Sequence, residues 1–425
     1  MNVVCTPPAL LDQYPDADIR IAMHAPSSDS STGEVGGTMH TQLRQNGVVP
    51  ISRSWDLLSI ALAVIAADVS CLRVQSSDGW TRQIKLIVSV GEPEFWSGQT
   101  ELLIRMLCFL TGDIWDLQFV GGNPLPTKFE NVTGRFPQSS VCLLSGGVDS
   151  LVGMLDLVST GRIPLLASQV SAGDKTHQQE FASCAGDTSK HIQLNHNVRS
   201  SGTSELSQRA RSLGFIAYGV VAATSLSSYV TGSVVDLYVP ENGFISINVP
   251  LTPLRLGTFS TRTTHPAYIK MFQCLLDAAD LHVRLINPYQ FKTKGEMLAE
   301  CRDQDKLLQH VFNSTSCGRF ARMGFRHCGR CIPCLVRRAA FQSWGQDDRT
   351  EYKFGYLSIR DPAHAEFDDV RSLAMAIERV RLVGVEKWAG SSLNWRLLGD
   401  IDGYISLLRR AMRELEVFLQ AQGVL

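Results

Sequence analysis

From Val141 to about Tyr289, short apolar runs alternate with longer stretches of helical period: Val141 to Leu144, Ile163 to Val170, His191 to Leu194, Val234 to Val239 and Val283 to Ile286. Strands interleaved with helices imply right-handed βαβ crossovers and a parallel sheet covered on both faces. Such sheets take ligands beyond the carboxyl ends of their strands. The pattern therefore predicts an α/β, Rossmann-like unit, which we bound at residues 136–355.

On the amino-terminal side the pattern is mixed. Asp18 to His24 and Arg82 to Val90 read as strands, and Trp55 to Ala67 and Gln99 to Leu110 as helices, giving a small α+β domain over residues 1–135. Residues 26–38, PSSDSSTGEVGGT, read as a mobile loop inside it. Gly121 to Gln138 carries Gly121, Gly122, Pro124, Pro126, Gly134 and Pro137 and reads as a linker. After Asp361 the period becomes helical, with Val370, Leu373, Ile377 and Val380 on one face and Ile405, Leu408, Met412, Leu415 and Leu419 on another. Residues 356–425 are thus a helical carboxy-terminal region, and no internal repeat is present.

The chain has 425 residues, a length that suits two or three domains. Forty Lys plus Arg against 41 Asp plus Glu leave a net charge of -1, which does not support nucleic acid as a partner. The longest apolar stretch, Leu57 to Ala67, falls short of the roughly 20 residues a membrane helix needs. With no secretory pattern at the amino terminus, the expectation is a cytoplasmic protein without a membrane partner.

Two motifs carry chemistry. In VCLLSGGVDSLVGMLDLV an apolar strand runs into a tight turn and then a helix with Leu151, Val152, Leu155 and Val158 facing inward. Gly146 and Gly147 let the backbone approach an anion closely, Ser145 and Ser150 add hydroxyls, and the helix begun by Val148 and Asp149 offers unpaired N–H groups. A polyphosphate such as ATP is the natural ligand, although a glycine turn capped by Ser and Asp would also start a helix without one. The longer Walker loop is absent.

The second motif is a cysteine cluster. Of 11 cysteines, Cys317, Cys328, Cys331 and Cys334 crowd into one segment with ten, two and two residues between them. In a reducing compartment this points to metal, and four thiolates suit a closed, tetrahedral Zn²⁺ site that braces a loop. An iron–sulfur cluster is the competing metal reading, while a redox pair would leave two cysteines unexplained. His327 is surplus to four thiolates and reads as a residue beside the metal site.

The hexapeptide SGGVDS at 145–150 resembles the PP-loop of ATP pyrophosphatases. Together with NPYQFKTKGEM at 287–297, Cys317, HCGRCIPCLVRRAAF at 327–341, Asp348 and Tyr352, it is similar to the 7-cyano-7-deazaguanine synthase, or QueC, family. The resemblance runs from about residue 140 to 355 and implies a PP-loop fold with a zinc knuckle. It also implies ATP cleavage between the α and β phosphates, with AMP passed to the carboxylate of a 7-carboxy-7-deazaguanine-like small molecule and an amine then displacing it. Asp149 would orient the loop or Mg²⁺.

Outside that core, LTGDIWDLQF at 110–119, ENGFISINVP at 241–250 and TRTTHP at 261–266 resemble the longer QueC-like proteins of bacterial anti-phage systems, the Qat type in particular. That likeness implies a defence role. The added regions suggest that the acceptor is an amine of an operon partner protein, since ammonia needs no docking surface.

Candidate residues follow from these readings. Lys292 and Lys294, at the end of the last strand, are placed to meet phosphate oxygens or the charge developing on the α phosphate, unless they are an exposed pair opening a helix. Arg262, Thr263 and His265 lie in a polar loop that would cover nucleotide or substrate. Glu241 and Asn242 follow the strand VVDLYV, at the end where ligands bind, although ENG is also a sufficient turn. Asp174, His177 and Glu180 hold a weaker claim, and His191 and His196 read as structural. The rival functions are an ordinary 7-cyano-7-deazaguanine synthase, a PP-loop tRNA-modifying enzyme, and a module that binds nucleotide without turning it over. The balanced charge weighs against the second of these and the intact SGGVDS against the third.

Overall fold

The computed structural model describes residues 1–27, 29–126, 129, 136–170, 173–186, 190–252, 262–358, 368–394 and 396–425, so Gly134, Thr261 and Asp361 lie outside it. Two five-stranded sheets, each wholly parallel, organise the described chain. The first comprises β1 (Asn2–Thr6), β2 (Ile19–Met23), β3 (Gly33–Val35), β4 (Gln83–Ser89) and β5 (Ile114–Val120), in the order β3-β2-β1-β4-β5. The second comprises β6 (Ser140–Leu143), β7 (Leu165–Gln169), β8 (Lys190–Leu194), β9 (Val235–Tyr238) and β10 (Val283–Ile286), in the order β10-β9-β6-β7-β8.

The second sheet has the five strands that the apolar runs predict, and the chain is an α/β protein. The α+β expectation for the amino-terminal region is sharpened to α/β, because all its described strands pair in parallel and helices lie between most of them. Residues 29–38 of the segment read as a mobile loop are ordered: they contain β3, where Glu34 exchanges backbone hydrogen bonds of 2.8 and 2.9 Å with Arg199. Gly33 permits this approach, since a Cβ there would stand 3.0 Å from Arg199 O. The polar composition that suggested a loop serves instead to organise a turn, with the Asp29 carboxylate accepting from Ser31 N–H and the Thr32 hydroxyl.

The apolar run at Leu57 to Ala67 belongs to the helix Ser52–Ser70, whose residues from Ser54 onward are all buried. A helix apolar all round needs neighbours on every side. It lies between the first sheet and the helix Arg211–Thr224, which in turn covers the second sheet. Gly214 admits Ile65 there, and Gly219 admits Leu143 and Leu237. One continuous core therefore spans both sheets. Among the described residues no helix is long and apolar enough to cross a membrane. A second core gathers the helices Asp368–Val383, Val385–Leu393 and Ile401–Ala421 against the helix Ile332–Trp344, burying Val370, Leu373, Ile377, Leu408, Met412, Leu415 and Leu419.

A buried charge cluster locks the two halves together. Arg82 donates to Asp68 Oδ1 at 2.5 Å and to Asp113 Oδ2 at 2.6 Å, and Arg73 forks onto Asp113 at 2.7 and 3.0 Å. Asp68 Oδ2 accepts the N–H groups of Arg209 and Ala210, immediately before the helix Arg211–Thr224. Burial pushes the Asp113 carboxyl up, but the two arginines outweigh it and hold it below the usual range. Removing one partner strands the others in low dielectric. Arg82→Met is thus expected to lower the unfolding free energy by about 3 kcal/mol, read from urea denaturation midpoints.

Candidate active site

Between β6 and the helix Val148–Ser159 the chain reverses over Leu144 to Gly147. Gly146 has a φ of 89°, a left-handed value that disfavours a side chain. The serines tie the loop to itself: Ser145 N–H donates to Ser150 Oγ (3.1 Å), Ser150 Oγ to Gly147 O (3.0 Å), and Gly147 N–H to Ser145 Oγ (3.2 Å). From outside, Gln178 Nε2 donates to Ser145 O at 3.2 Å, and Thr315 N–H donates to Gly146 O at 2.9 Å. The loop is thereby held open beneath a helix amino terminus, an arrangement that attracts anions.

Asp149 turns inward from the first helical turn and is buried. It pairs with Lys294 Nζ, while its Oδ2 accepts Asn242 N–H at 3.0 Å and Asn242 Nδ2 at 2.8 Å. Burial pushes the Asp149 carboxyl up, yet the Lys294 charge and hydrogen bonds from Glu241, Lys294 and Asn242 outweigh it and hold the acid well below its ordinary value. Glu241 behaves oppositely: burial and the neighbouring Asp149 charge push it well above the usual range. The two carboxyls are thus pushed in opposite directions, and side by side they disfavour ionising together.

Local structure delivers each partner. Asn242 caps the helix Gly243–Ile247 through Ile245 N–H (3.1 Å) and so has its amide nitrogen free for Asp149. Asn287, just past β10, holds Glu241 at both backbone atoms, with its Oδ1 accepting Glu241 N–H (3.2 Å) and its Nδ2 donating to Glu241 O (2.9 Å). Lys294 opens the helix Lys294–Ala299 under a capping box. There Thr293 Oγ1 accepts Glu296 N–H (3.1 Å) and Glu296 Oε2 accepts Thr293 N–H (2.9 Å).

These groups surround a cavity of about 220 Å³ lined by Ser145, Gly147, Asp149, Glu241, Lys294 and Thr315 among others. Asp149 and Glu241 bring two carboxyls to one small polar cavity, oxygen donors of the kind that a hard cation such as Mg²⁺ takes, and a cation there would favour ionising both. A larger cavity, about 790 Å³, lies beyond the helix Gly243–Ile247, between β10 and the helix Pro266–Ala278, and carries none of the phosphate loop.

Other candidates fall elsewhere. Lys292 pairs with Glu300 at 2.5 Å and does not line the smaller cavity. Arg262 lies 4.8 Å over the Phe109 ring and donates to Phe109 O (3.2 Å). His265 caps the helix Pro266–Ala278 through Ala267 N–H (3.1 Å), and burial pushes its imidazole down to about 3. Thr263 sits half-buried in the turn between them. Glu180 holds His310 and Asn313, whereas Asp174 lies beside Gly146. His191 and His196 bond Ser168 and Gln169 at the strand ends.

Sequence reasoning missed Gln178, Asn287, Thr315 and Arg337. Arg337 is fully buried and donates to the Ser314 hydroxyl (2.7 Å), the Ser316 hydroxyl (3.2 Å) and Val311 O (2.8 Å), bracing the stretch that supports Gly146. The capping box Thr293-Lys-Gly-Glu296 was the one unread signal in the sequence.

The four cysteines converge on buried sulfurs all within 4.8 Å of one another, with Cys317–Cys331 and Cys328–Cys334 separations of 3.9 Å. A tetrahedron of thiolates at about 2.3 Å from zinc places its sulfurs about 3.8 Å apart. Backbone N–H groups of Cys328 and Arg319 donate to Cys317 Sγ, and those of Cys331 and Arg330 to Cys328 Sγ, which favours ionised sulfur. His327 stays outside the set, accepting Ser316 N–H at Nε2 (3.1 Å).

Fold and site together define an α/β protein with a Gly-rich strand-to-helix loop and a four-cysteine cluster beside it. Over 91 residues the chain is 34% identical to the 7-cyano-7-deazaguanine synthase of Paracoccus denitrificans, covering 21% of this chain and 36% of that protein. Over 93 residues it is 39% identical to the 7-cyano-7-deazaguanine synthases of Brucella ovis and Brucella canis, covering 21% of this chain and 37% of each of theirs. The chain thus spans little more than a third of the length of these relatives. No family model and no solved structure matches the chain.

Metal analysis of the purified chain is expected to find about one zinc per molecule, and chelation or Cys331→Ser to lower the melting temperature. Because Cys317 follows Thr315 and Ser316, the same treatments should weaken nucleotide binding measured by calorimetry.

Proposed function

We propose that the chain is an ATP-dependent ligase that adenylates the carboxylate of a 7-carboxy-7-deazaguanine-like acid and passes the acyl group to an amine. The observation that carries this reading is the meeting of the Ser145–Ser150 loop, Asp149, Lys294 and Glu241 at one small cavity, in a chain similar to 7-cyano-7-deazaguanine synthases.

In this reading the terminal phosphates rest on the loop amides and the Ser145 and Ser150 hydroxyls. Asp149 and Glu241 would hold Mg²⁺, which supplies charge neutralisation at the phosphates. A carboxylate oxygen of the acid attacks the α phosphorus, the bond to the bridging oxygen breaks, and pyrophosphate stays on the loop. Lys294 faces the charge gathering on the α-phosphate oxygens. The amine nitrogen then attacks the acyl carbon, AMP departs with its oxygen, and the nitrogen loses a proton to solvent. Most of the task is positioning and charge stabilisation.

For the acceptor, the resemblance of residues 110–119 and 241–250 to Qat-type anti-phage proteins favours an amine of a partner protein from the same operon, in the cytoplasm. A protein amine yields a secondary amide, which cannot be dehydrated to a nitrile, whereas ammonia would return the ordinary synthase reaction.

The test is ATP–pyrophosphate exchange with 7-carboxy-7-deazaguanine, followed by intact-mass measurement of the operon partner after incubation with all substrates. Exchange is expected, falling by about a hundredfold or more in Asp149→Ala with zinc content retained, and the partner should gain the mass of the acyl group. A nitrile product with an unchanged partner would put the synthase reading in place of conjugation, and absence of exchange would remove adenylation altogether.

A further inference from the structure

The last helix, Ile401–Ala421, lies across the segment that delivers Lys294, and one stripe of it makes the contact. Tyr404 tilts against Phe291 with ring centroids 4.9 Å apart. Leu407 occupies the space that a side chain at Gly243 would need. Arg410 donates to Phe291 O (2.7 Å) and pairs with Glu296 (2.5 Å). One turn further on, Glu414 enters the amino terminus of the helix Lys294–Ala299 itself.

There the Glu414 carboxyl accepts the Thr293 hydroxyl and the Gly295 backbone N–H, with Ser343 as a further hydrogen-bond partner. The fit is close: a Cβ on Gly295 would stand 2.7 Å from Glu414 Oε1 and 2.9 Å from Ser343 Oγ. Burial pushes the Glu414 carboxyl up to about 7 against the pull of these hydrogen bonds, and the charge of Glu296 adds to the rise.

The chemistry of a hydroxyl makes this contact directional. Thr293 has one proton to give and lone pairs to offer. With that proton directed at the Glu414 carboxyl, a lone pair is left facing Glu296 N–H, 3.1 Å away, and the helix is capped. Turned the other way, the hydroxyl would present its proton to an N–H and the cap would fail. Lys294 is the next residue and the first of that helix, and from there its side chain pairs with Asp149.

We propose that Glu414 is a positioning residue for the active site: by orienting the Thr293 hydroxyl and seating Gly295, it fixes where the Lys294 helix begins and hence where the Lys294 ammonium stands. The carboxy-terminal helix is accordingly part of the catalytic scaffold. The effect on turnover rests on the adenylation reading above, while the effect on the helix does not.

The test uses the full-length, zinc-loaded chain as wild type, Glu414→Ala, Glu414→Gln, Thr293→Val, the Glu414→Ala/Thr293→Val double variant, and Glu416→Gln as a control on the far side of the same helix. Two quantities are read: amide hydrogen exchange over residues 294–299 by mass spectrometry without ligands, and ATP–pyrophosphate exchange with 7-carboxy-7-deazaguanine. Glu414→Ala is expected to speed amide exchange about fivefold or more and to lower kcat about tenfold with KM for ATP within about twofold.

Glu414→Gln, whose amide oxygen still accepts from Thr293, should restore both, and the double variant should be no worse than Glu414→Ala alone. Wild-type amide exchange in Glu414→Ala, additive losses in the double variant, or failure of Glu414→Gln to rescue would each overturn the proposal. If the wild type shows no pyrophosphate exchange, adenylation falls and the positioning role is judged on the amide exchange alone.

Discussion

A buried ion pair between Asp149 and Lys294 is the constraint around which this site is built. Taking a carboxylate and an ammonium out of water costs several kcal/mol per ion, and their attraction offsets that only when the geometry is good and the remaining lone pairs are satisfied. Here Asn242 fills one oxygen of Asp149 twice, and Glu241 supplies a further hydrogen bond. Three loops are thereby forced to meet: the phosphate loop after β6, the turn after β9 that carries Glu241 and Asn242, and the segment after β10 that carries Lys294. Parallel pairing of β9 beside both β6 and β10 is what makes that meeting possible.

Each loop has its own support, and the supports come from different parts of the chain. Thr315, two residues before the first cysteine, holds Gly146 from below, so the thiolate knuckle acts on the phosphate loop through a single backbone hydrogen bond. Buried Arg337, on the helix that begins beside Cys331, fastens the same stretch through Ser314 and Ser316. Asn287 ties the β9 and β10 loops to each other. A knuckle with four sulfurs leaves no position for a reacting water. The cluster lies beside the stretch that holds Gly146.

The amino-terminal half enters by another route. Its sheet shares a core with the second one because the helix Ser52–Ser70 is apolar on every side and is enclosed between them, and the Arg73, Arg82, Asp68 and Asp113 cluster joins that helix to the start of the helix Arg211–Thr224. The latter helix covers β6, β7 and β9. The two halves are therefore mechanically continuous down to the sheet that carries the site.

Local patterns determined much of this protein. Apolar runs of four to eight residues marked all five strands of the second sheet, SGGVDS marked the tight turn from β6 into the next helix, and the cysteine spacing marked the four-sulfur cluster, because each is a property of nearby residues. In the first sheet β2 and β4 were read from their apolar runs; β5, IWDLQFV, carries a period-two alternation that went unread, β1 is a short run at the start of the sequence, and β3, three residues long, is made a strand by its neighbours. Within the site, sequence could place Lys292 and Lys294 side by side, but only the start point of one helix decided which of them faces Asp149. That start point depends on Thr293 and on Glu414, 121 residues further along the chain. The capping box Thr293–Glu296 marks that start locally, whereas the Glu414 contact that joins it arrives only by tertiary packing.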